Sequence, residues 1–171
     1  MFSMILTRNV LLKEIQAKRV KIEPFVKSNI GPASVDLRLG NEFRIFKKPN
    51  KVVEVTEESD YKEVTELIVT NGAFVLMPGE AAHAITKEKI TLPEDMCGWL
   101  EGRSRFARLG LLVHIAAPFM QPGISSHQVL ELFNASPFPL SIKAGLKICQ
   151  FIFERCEGSA KYEGRFKAQT L

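Results

Sequence analysis

The sequence is poor in cysteine, and the few cysteines it has are spaced unlike a disulfide framework or a metal site. Of 171 residues only Cys97, Cys149 and Cys156 are cysteines, an odd number without a C-x-x-C pair. None of the histidines, His83, His114 and His127, begins an H-x-E motif, and the cysteines have no metal-ligand spacing. The sequence therefore predicts free thiols in a reducing cytoplasm and no zinc site.

Long apolar runs and a strong charge of one sign are also missing. No apolar run reaches the length of about 18 residues that a membrane span needs, and residues 1–6 are too short for a signal peptide. The net charge is +4, and the basic residues are not interleaved with aromatic ones. We therefore expect no membrane or nucleic-acid partner, although a mildly basic protein attracts small polyanions.

What the sequence does contain is many short apolar stretches separated by Gly and Pro. One helix is expected at 8–18, capped by Thr7. The pattern predicts a single all-β domain over residues 1–171, a sandwich or jelly roll with one or two short helices. A turn is expected at Gly40-Asn41, and the polar segment 47–66 is interpreted as a surface excursion. The expected strands lie at 20–25, 34–39, 41–46, 67–76 (broken at Asn71-Gly72), 81–86, 140–142 and 148–153.

A cluster of arginines stands in the stretch 98–134. Arg103, Arg105 and Arg108 surround Ser104 between two glycine turns. Because a guanidinium presents a rigid fork of donors that matches phosphate oxygens, this cluster favours anion binding.

A single carboxylate follows in the same stretch. Glu131 lies in the apolar frame Val129-Leu130-Glu131-Leu132-Phe133. Side chains alternate along a strand, so Leu130 and Leu132 should face away from Glu131. Apolar surroundings raise the pKa of a carboxyl group, and this would suit proton transfer. A glutamate paired with a structural arginine is the alternative interpretation.

The same stretch resembles the dCTP deaminase branch of the dUTPase superfamily. That family shows a segment close to G-W-L-E/D-G-R-S-S-L-A-R-L-G-L-x-V-H, a D-P-G turn and V-L-E-x-x-N. Here residues 98–114 read GWLEGRSRFARLGLLVH, and the resemblance extends from about Leu6 to the C-terminus. It implies a distorted β-jelly roll of the dUTPase-like type, a homotrimer with sites between subunits, and a nucleotide substrate. The further matching stretches are 31–40, 78–80, 122–123, 129–134 and 162–169.

The resemblance also implies roles for the arginine cluster and the carboxylate. Glu131 falls on the family's general acid/base, and Ser104 and Arg108 fall on active-site positions. Arg103 would contact a phosphate or a neighbouring subunit. Arg105 replaces a family serine and adds positive charge beside the site.

The loop that follows differs from the family pattern. Ile115, Ala116 and Ala117 occupy positions whose backbone reads the cytosine edge, and His114 matches a family histidine. The family arginine is Phe119 here, and the family aspartate is Gln121. An amide can bind a hydroxyl group but cannot act as a base at neutral pH, so Gln121 argues against diphosphate hydrolysis.

The C-terminal tail, about 158–171, resembles a Y-x-G-K-Y-x-G-Q segment that folds over the triphosphate. By that resemblance Tyr162, Arg165 and Gln169 contact phosphates, and Mg²⁺ arrives on the phosphates rather than in a protein carboxylate cage. Without the resemblance, the tail would be interpreted as a disordered basic terminus.

Three functions remain open at this point. The first is a zinc-independent dCTP deaminase that yields dUTP and ammonia. The second is a bifunctional, dUMP-forming deaminase or a plain dUTPase, which Gln121 disfavours. The third is a nucleotide-binding homologue that has lost catalysis.

Overall fold

The computed structural model describes residues 4–47, 52–167 and 169–171. The described residues contain two α-helices, α1 (Arg8–Gln16) and α2 (Ser104–Ala107), and a 3-10 turn at Lys27–Asn29. Thr7 stands at the N-cap position of α1 as predicted, but its side chain makes no capping hydrogen bond; its carbonyl accepts the Leu11 amide at 2.9 Å. The helix ends two residues earlier than expected, since Lys18 already has a positive φ of 59°.

The regular secondary structure of the described residues is mainly β-strand, which confirms the predicted fold class. Ten strands form one curled sheet in which β8-β10-β6-β3-β12-β7-β9 are successive neighbours, while β5 and β11 form a separate pair. The outer strands β1, β2 and β4 pair with β12, β6 and β3. The strands are β1 Met4–Ile5, β2 Lys21–Glu23, β3 Val35–Phe46, β4 Thr65–Val69, β5 Ala73–Leu76, β6 Ala81–Thr91, β7 Met96–Gly102, β8 Leu111–Val113, β9 Phe119–Met120, β10 Ser125–Asn134, β11 Leu140–Lys143 and β12 Lys147–Arg155.

Strand β3 joins the two halves of the sheet, and here one sequence prediction was wrong. Gly40-Asn41 is not a turn: β3 continues through it, and the register with β6 shifts between Leu39 and Phe43. A Cβ on Gly40 would lie 2.9 Å from the Ile85 carbonyl oxygen, so only glycine allows β6 to approach this closely. The glycine therefore produces an irregularity within one strand, which bends the sheet instead of ending it.

The core is built from strand alternation. Val35, Leu37 and Leu39 of β3 are at most 2% exposed, as their period-2 pattern predicts. Leu130 and Leu132 of β10 are fully buried on the same principle. Since the apolar side chains of β3 and β10 point into the core, the residues between them point to the other face of the sheet. The site described below lies on that other face, at β6 and β10.

The three cysteines carry free thiols, with Cys97 and Cys149 buried and Cys156 half-buried. Across the described ranges, neither helix is long and apolar enough to cross a bilayer. The longer one has nine residues, against about 20 for a span.

Candidate active site

Glu131 lies in the middle of β10 and points away from the core. Its strand neighbours Leu130 and Leu132 are buried, whereas 44% of the Glu131 side chain is exposed. That side chain opens into a cavity of about 510 Å³. The predicted alternation is thus confirmed, and it places a carboxylate at the wall of a cavity large enough for a small molecule.

His114 is bound to Glu131 twice. Its amide donates to the Glu131 carbonyl at 2.7 Å, and its Nδ1 lies 2.8 Å from the Glu131 Oε2 atom. The residue has a φ of +55°, in the left-handed region that non-glycine residues rarely adopt. Such a conformation persists where the surroundings over-determine it, so the imidazole is held firmly against the carboxylate.

The other ring nitrogen of His114, Nε2, contacts a backbone carbonyl, and this contact determines its protonation. Nε2 lies 2.8 Å from the Ala117 carbonyl, which can only accept, so Nε2 carries a hydrogen. Nδ1 faces the carboxylate. Among the described residues, neither Nδ1 of His114 nor Oε2 of Glu131 has a hydrogen-bond partner of good geometry, so the contact of 2.8 Å between them is electrostatic.

The pKa of Glu131 differs from the sequence prediction. Burial is the largest single influence and raises the pKa. The contact with His114, a backbone hydrogen bond and the charge that His83 carries when protonated lower it and together outweigh burial. The pKa of Glu131 therefore lies below its ordinary value, not above it. An ionised carboxylate beside an imidazole is suited to accept a proton.

The predicted tail lies over this cavity. Gln169 accepts the Val129 amide at 3.1 Å through its side-chain carbonyl, and the Tyr162 amide donates to the Pro122 carbonyl at 3.0 Å. The Val129 amide is available because the β10–β6 register shifts between His127 and Val129. The tail thus packs onto its own chain.

The polar segment 47–66, interpreted from the sequence as a surface excursion, also contributes residues to the cavity; its residues 48–51 lie outside the described ranges. Asp60 pairs with Arg165 at 3.6 Å, and Arg165 also donates to the Ser59 carbonyl at 3.3 Å. The Tyr61 hydroxyl donates to the Thr170 carbonyl at 3.0 Å. The excursion and the tail therefore close the cavity together.

Seven residues expected from the sequence line the cavity, and six do not. The seven are Glu131, His114, Ala117, Gln121, Tyr162, Arg165 and Gln169. The six are Ile115 and Ala116, which are exposed in the loop after β8, and Arg103, Ser104, Arg105 and Arg108, which lie at α2.

Within one chain, the arginine cluster does not contact the cavity that contains Glu131. Arg103 pairs with Asp36 at 3.3 Å and donates to the Lys147 carbonyl at 3.1 Å. Arg105 and Arg108 are exposed and form no ion pair with any residue that the structure describes. Their meeting with Glu131 is not seen within one chain and stays a prediction about neighbouring subunits.

Sequence reasoning missed the cavity residues Asp60, Tyr61, Lys62 and His83. Only His83 carried a signal, since it is a polar residue between two alanines in a strand. Nothing in the sequence showed which strand it would face. Within the described ranges, no group of three or more His, Cys, Asp or Glu side chains could hold a metal ion.

A family model described as dCTP deaminase-like matches residues 5–156. The chain belongs to the dCTP deaminase-like family. Among its relatives is the "dCTP deaminase, dUMP-forming" of Nocardioides sp., 38% identical over 97% of this chain and 91% of the relative. The protein of the same name from Parafrankia sp. is 39% identical over 97% of this chain and 87% of the relative.

A solved structure supports the dCTP deaminase-like fold. The 2′-deoxycytidine 5′-triphosphate deaminase from Agrobacterium tumefaciens superposes with a TM-score of 0.70 over 90% of this chain, at 22% identity. The present chain spans about half the length of that one, 48%. The β-jelly roll expected from the sequence is thus found in a solved relative.

Proposed function

We propose that this protein deaminates dCTP, with Glu131 as the general acid/base. The observation that carries the proposal is the contact of 2.8 Å between Glu131 and His114 at the wall of the cavity. An ionised carboxylate held in place can activate water without a transition metal. The names of the relatives support the same chemistry.

In the proposed reaction, Glu131 removes a proton from the water that attacks C4 of cytosine. The new C4–O bond forms and this first proton passes from Glu131 to N3. Glu131 then takes the hydroxyl proton of the tetrahedral intermediate and passes it to the departing amine as the C4–N bond breaks. Ammonia leaves and the base becomes uracil. His114 keeps the carboxylate oriented and ionised at the start of each cycle.

A neighbouring subunit would complete the site. The cavity in one chain is lined by two Lys or Arg side chains, Lys62 and Arg165, and Arg165 is already paired with Asp60. A triphosphate needs more cations than this. We propose a homotrimer in which exposed Ser104, Arg105 and Arg108 reach the next subunit's cavity, with Arg103 at the contact.

The remaining predicted residues would bind the substrate around this centre. The backbone of Ile115, Ala116 and Ala117 would read the cytosine edge, and Tyr162, Arg165 and Gln169 would hold the phosphates. Mg²⁺ would arrive bound to the triphosphate. Such an enzyme of nucleotide supply would work in the cytoplasm.

The proposed product is dUTP. Gln121 lines the cavity where the family has an aspartate, and an amide cannot activate water for attack on phosphorus. The second candidate product is dUMP, which is favoured by the names of relatives that are 36–39% identical.

One assay tests these alternatives. The purified protein is incubated with dCTP and Mg²⁺, and ammonia, dUTP and dUMP are quantified over time. Accumulating dUTP with equimolar ammonia supports the proposal, whereas dUMP with pyrophosphate supports the second candidate. Unchanged dCTP with measurable binding would mean a nucleotide-binding homologue and would overturn both. Incubation with dUTP alone serves as the control for diphosphate hydrolysis.

A further inference from the structure

His83 lies beside Glu131 on the wall of the cavity. Its strand neighbours Ala82 and Ala84 are buried at 1% and 0% exposure, so the His83 side chain faces the other way. In the strand register, His83 is directly opposite Glu131 on β10 and directly opposite Arg44 on β3. Directly opposed residues share a face and stand in contact range. The three strands therefore align a guanidinium, an imidazole and a carboxylate in one row.

The imidazole of His83 is held by aromatic rings. The Tyr61 ring meets it edge-on, with centroids 5.2 Å apart and planes at 89°, and the Phe46 ring lies at 5.1 Å. Among the described residues, the Nδ1 atom of His83 is buried without a hydrogen-bond partner. Buried polar atoms are rarely left unpaired, and where they are the reason is often functional.

The charge state of His83 follows from its neighbours. Burial lowers the pKa of His83 below the ordinary histidine value, Glu131 raises it and the charge of Arg44 lowers it again, with a net lowering. Tyr61 of the excursion packs against the ring. Besides Tyr61, His83 and Glu131, the ionisable groups among the described residues that line the cavity are Asp60, Lys62, His114, Tyr162 and Arg165. His83 is thus a neutral imidazole at neutral pH.

We propose that His83 is a positioning residue for Glu131. It flanks the carboxylate on the side opposite His114. A proton that enters the group formed by His83, Glu131 and His114 then rests on an imidazole, and the carboxylate of Glu131 stays charged. This inference rests on the proposed function, since it assigns a role within the same site. It explains why β6 carries a histidine between the two buried alanines Ala82 and Ala84, at the position opposite Glu131.

The first test needs no activity. The ring resonances of His83, assigned by their contacts to the Tyr61 and Phe46 rings, are titrated by NMR in the native protein and in Glu131→Gln. Removing the carboxylate should move the His83 titration midpoint downward by about half a pH unit or more, because a favourable negative charge is lost. Glu66→Gln, which removes an exposed carboxylate on β4, is the control and should leave the His83 midpoint in place. An unchanged or raised His83 midpoint in Glu131→Gln would overturn the proposal.

The second test uses the pH–rate profile of dCTP deamination. In His83→Gln, the acidic limb of kcat should move upward by about half a pH unit, with a KM within about twofold of the native value. His127→Gln is the matched control and should leave the limb in place. If His83→Gln loses the same fraction of its rate at every pH, or none, then His83 has only a packing role and the proposal is wrong. If the native protein does not deaminate dCTP, the proposed function fails, and the NMR titration still decides whether the two residues are coupled.

Discussion

Asp60 and Arg165 form an ion pair of 3.6 Å that joins the polar excursion to the C-terminal tail. Both side chains are partly exposed, so the pair contributes at most about 1 kcal/mol. Since Arg165 is the tail's candidate phosphate contact, Asp60 occupies the guanidinium that a triphosphate would use. Asp60→Asn should therefore tighten dCTP binding by about two- to fivefold at low salt, as measured by calorimetry.

Glu163 offers a matched control for that variant. It is an exposed acid of the same tail and pairs with Lys161 and Lys167 instead of Arg165. Glu163→Gln removes the same charge and should change the affinity for dCTP by less than the variant at Asp60. Weaker binding in Asp60→Asn would mean that the pair is needed to close the tail.

Replacing Glu131 by glutamine separates binding from chemistry. The amide has nearly the same shape but cannot take a proton, so kcat for deamination should fall by about a thousandfold or more. The Kd for dCTP should stay within about threefold of the native value. Glu66→Gln, on the exposed face of β4, is the control and should keep full activity. Substantial turnover by Glu131→Gln would remove this residue from the mechanism.

His114→Asn should move the pH dependence of activity. Asparagine tolerates a positive φ, so the backbone conformation is retained while the imidazole is lost. Burial then raises the pKa of Glu131 without the opposing contact, and the acidic limb of the pH–rate profile should shift to higher pH by about one pH unit.

The same variant has a consequence for stability. A carboxyl group with a lowered pKa in the folded state stabilises the protein above the ordinary glutamate pKa, and that contribution is lost as the pH falls through the folded value. His114→Asn should remove this contribution, so the difference in unfolding free energy from the native protein should be larger at pH 7 than at pH 3. A difference that does not depend on pH would contradict the ionic contact.

Gly40 tests the bend in β3. In Gly40→Ala the new methyl group would lie 2.9 Å from the Ile85 carbonyl oxygen and 3.2 Å from its Cγ2 atom. The backbone must shift, so the variant should lose about 1–3 kcal/mol of stability in urea denaturation. Gly72→Ala, where no atom lies within 4 Å of the added carbon, should stay within about 0.5 kcal/mol of the native protein.

Local patterns in the sequence predicted much of the fold and part of the site. The alternation of apolar and polar residues around Glu131 predicted the orientation of its side chain correctly. Because Leu130 and Leu132 are buried on one face of β10, the Glu131 side chain points to the other face. The family resemblance found His114, Gln121 and Arg165, all of which line the cavity. The surroundings of these residues are set by their own strand or motif, and their roles in the site stay predictions.

The failures concern contacts between distant segments. The pKa of Glu131 was expected to be raised, since its sequence neighbours are apolar and the His114 contact across strands was not visible. The register that sets His83 against Glu131 likewise depends on how β6 and β10 pair. Gly40-Asn41 has the composition of a turn, but the partner strand on the other side of β3 makes it a bend within a strand.

Gln169 meets the Val129 amide through its side chain, and the described residues of the tail add no strand to the sheet. The other contacts of the tail are likewise separate ones, made by Tyr162, Arg165 and Thr170 with Pro122, Asp60 and Tyr61. Each such hydrogen bond has a net worth of about 1 kcal/mol, so we expect the tail to lift from the cavity one contact at a time, without any change to the pairing of the sheet.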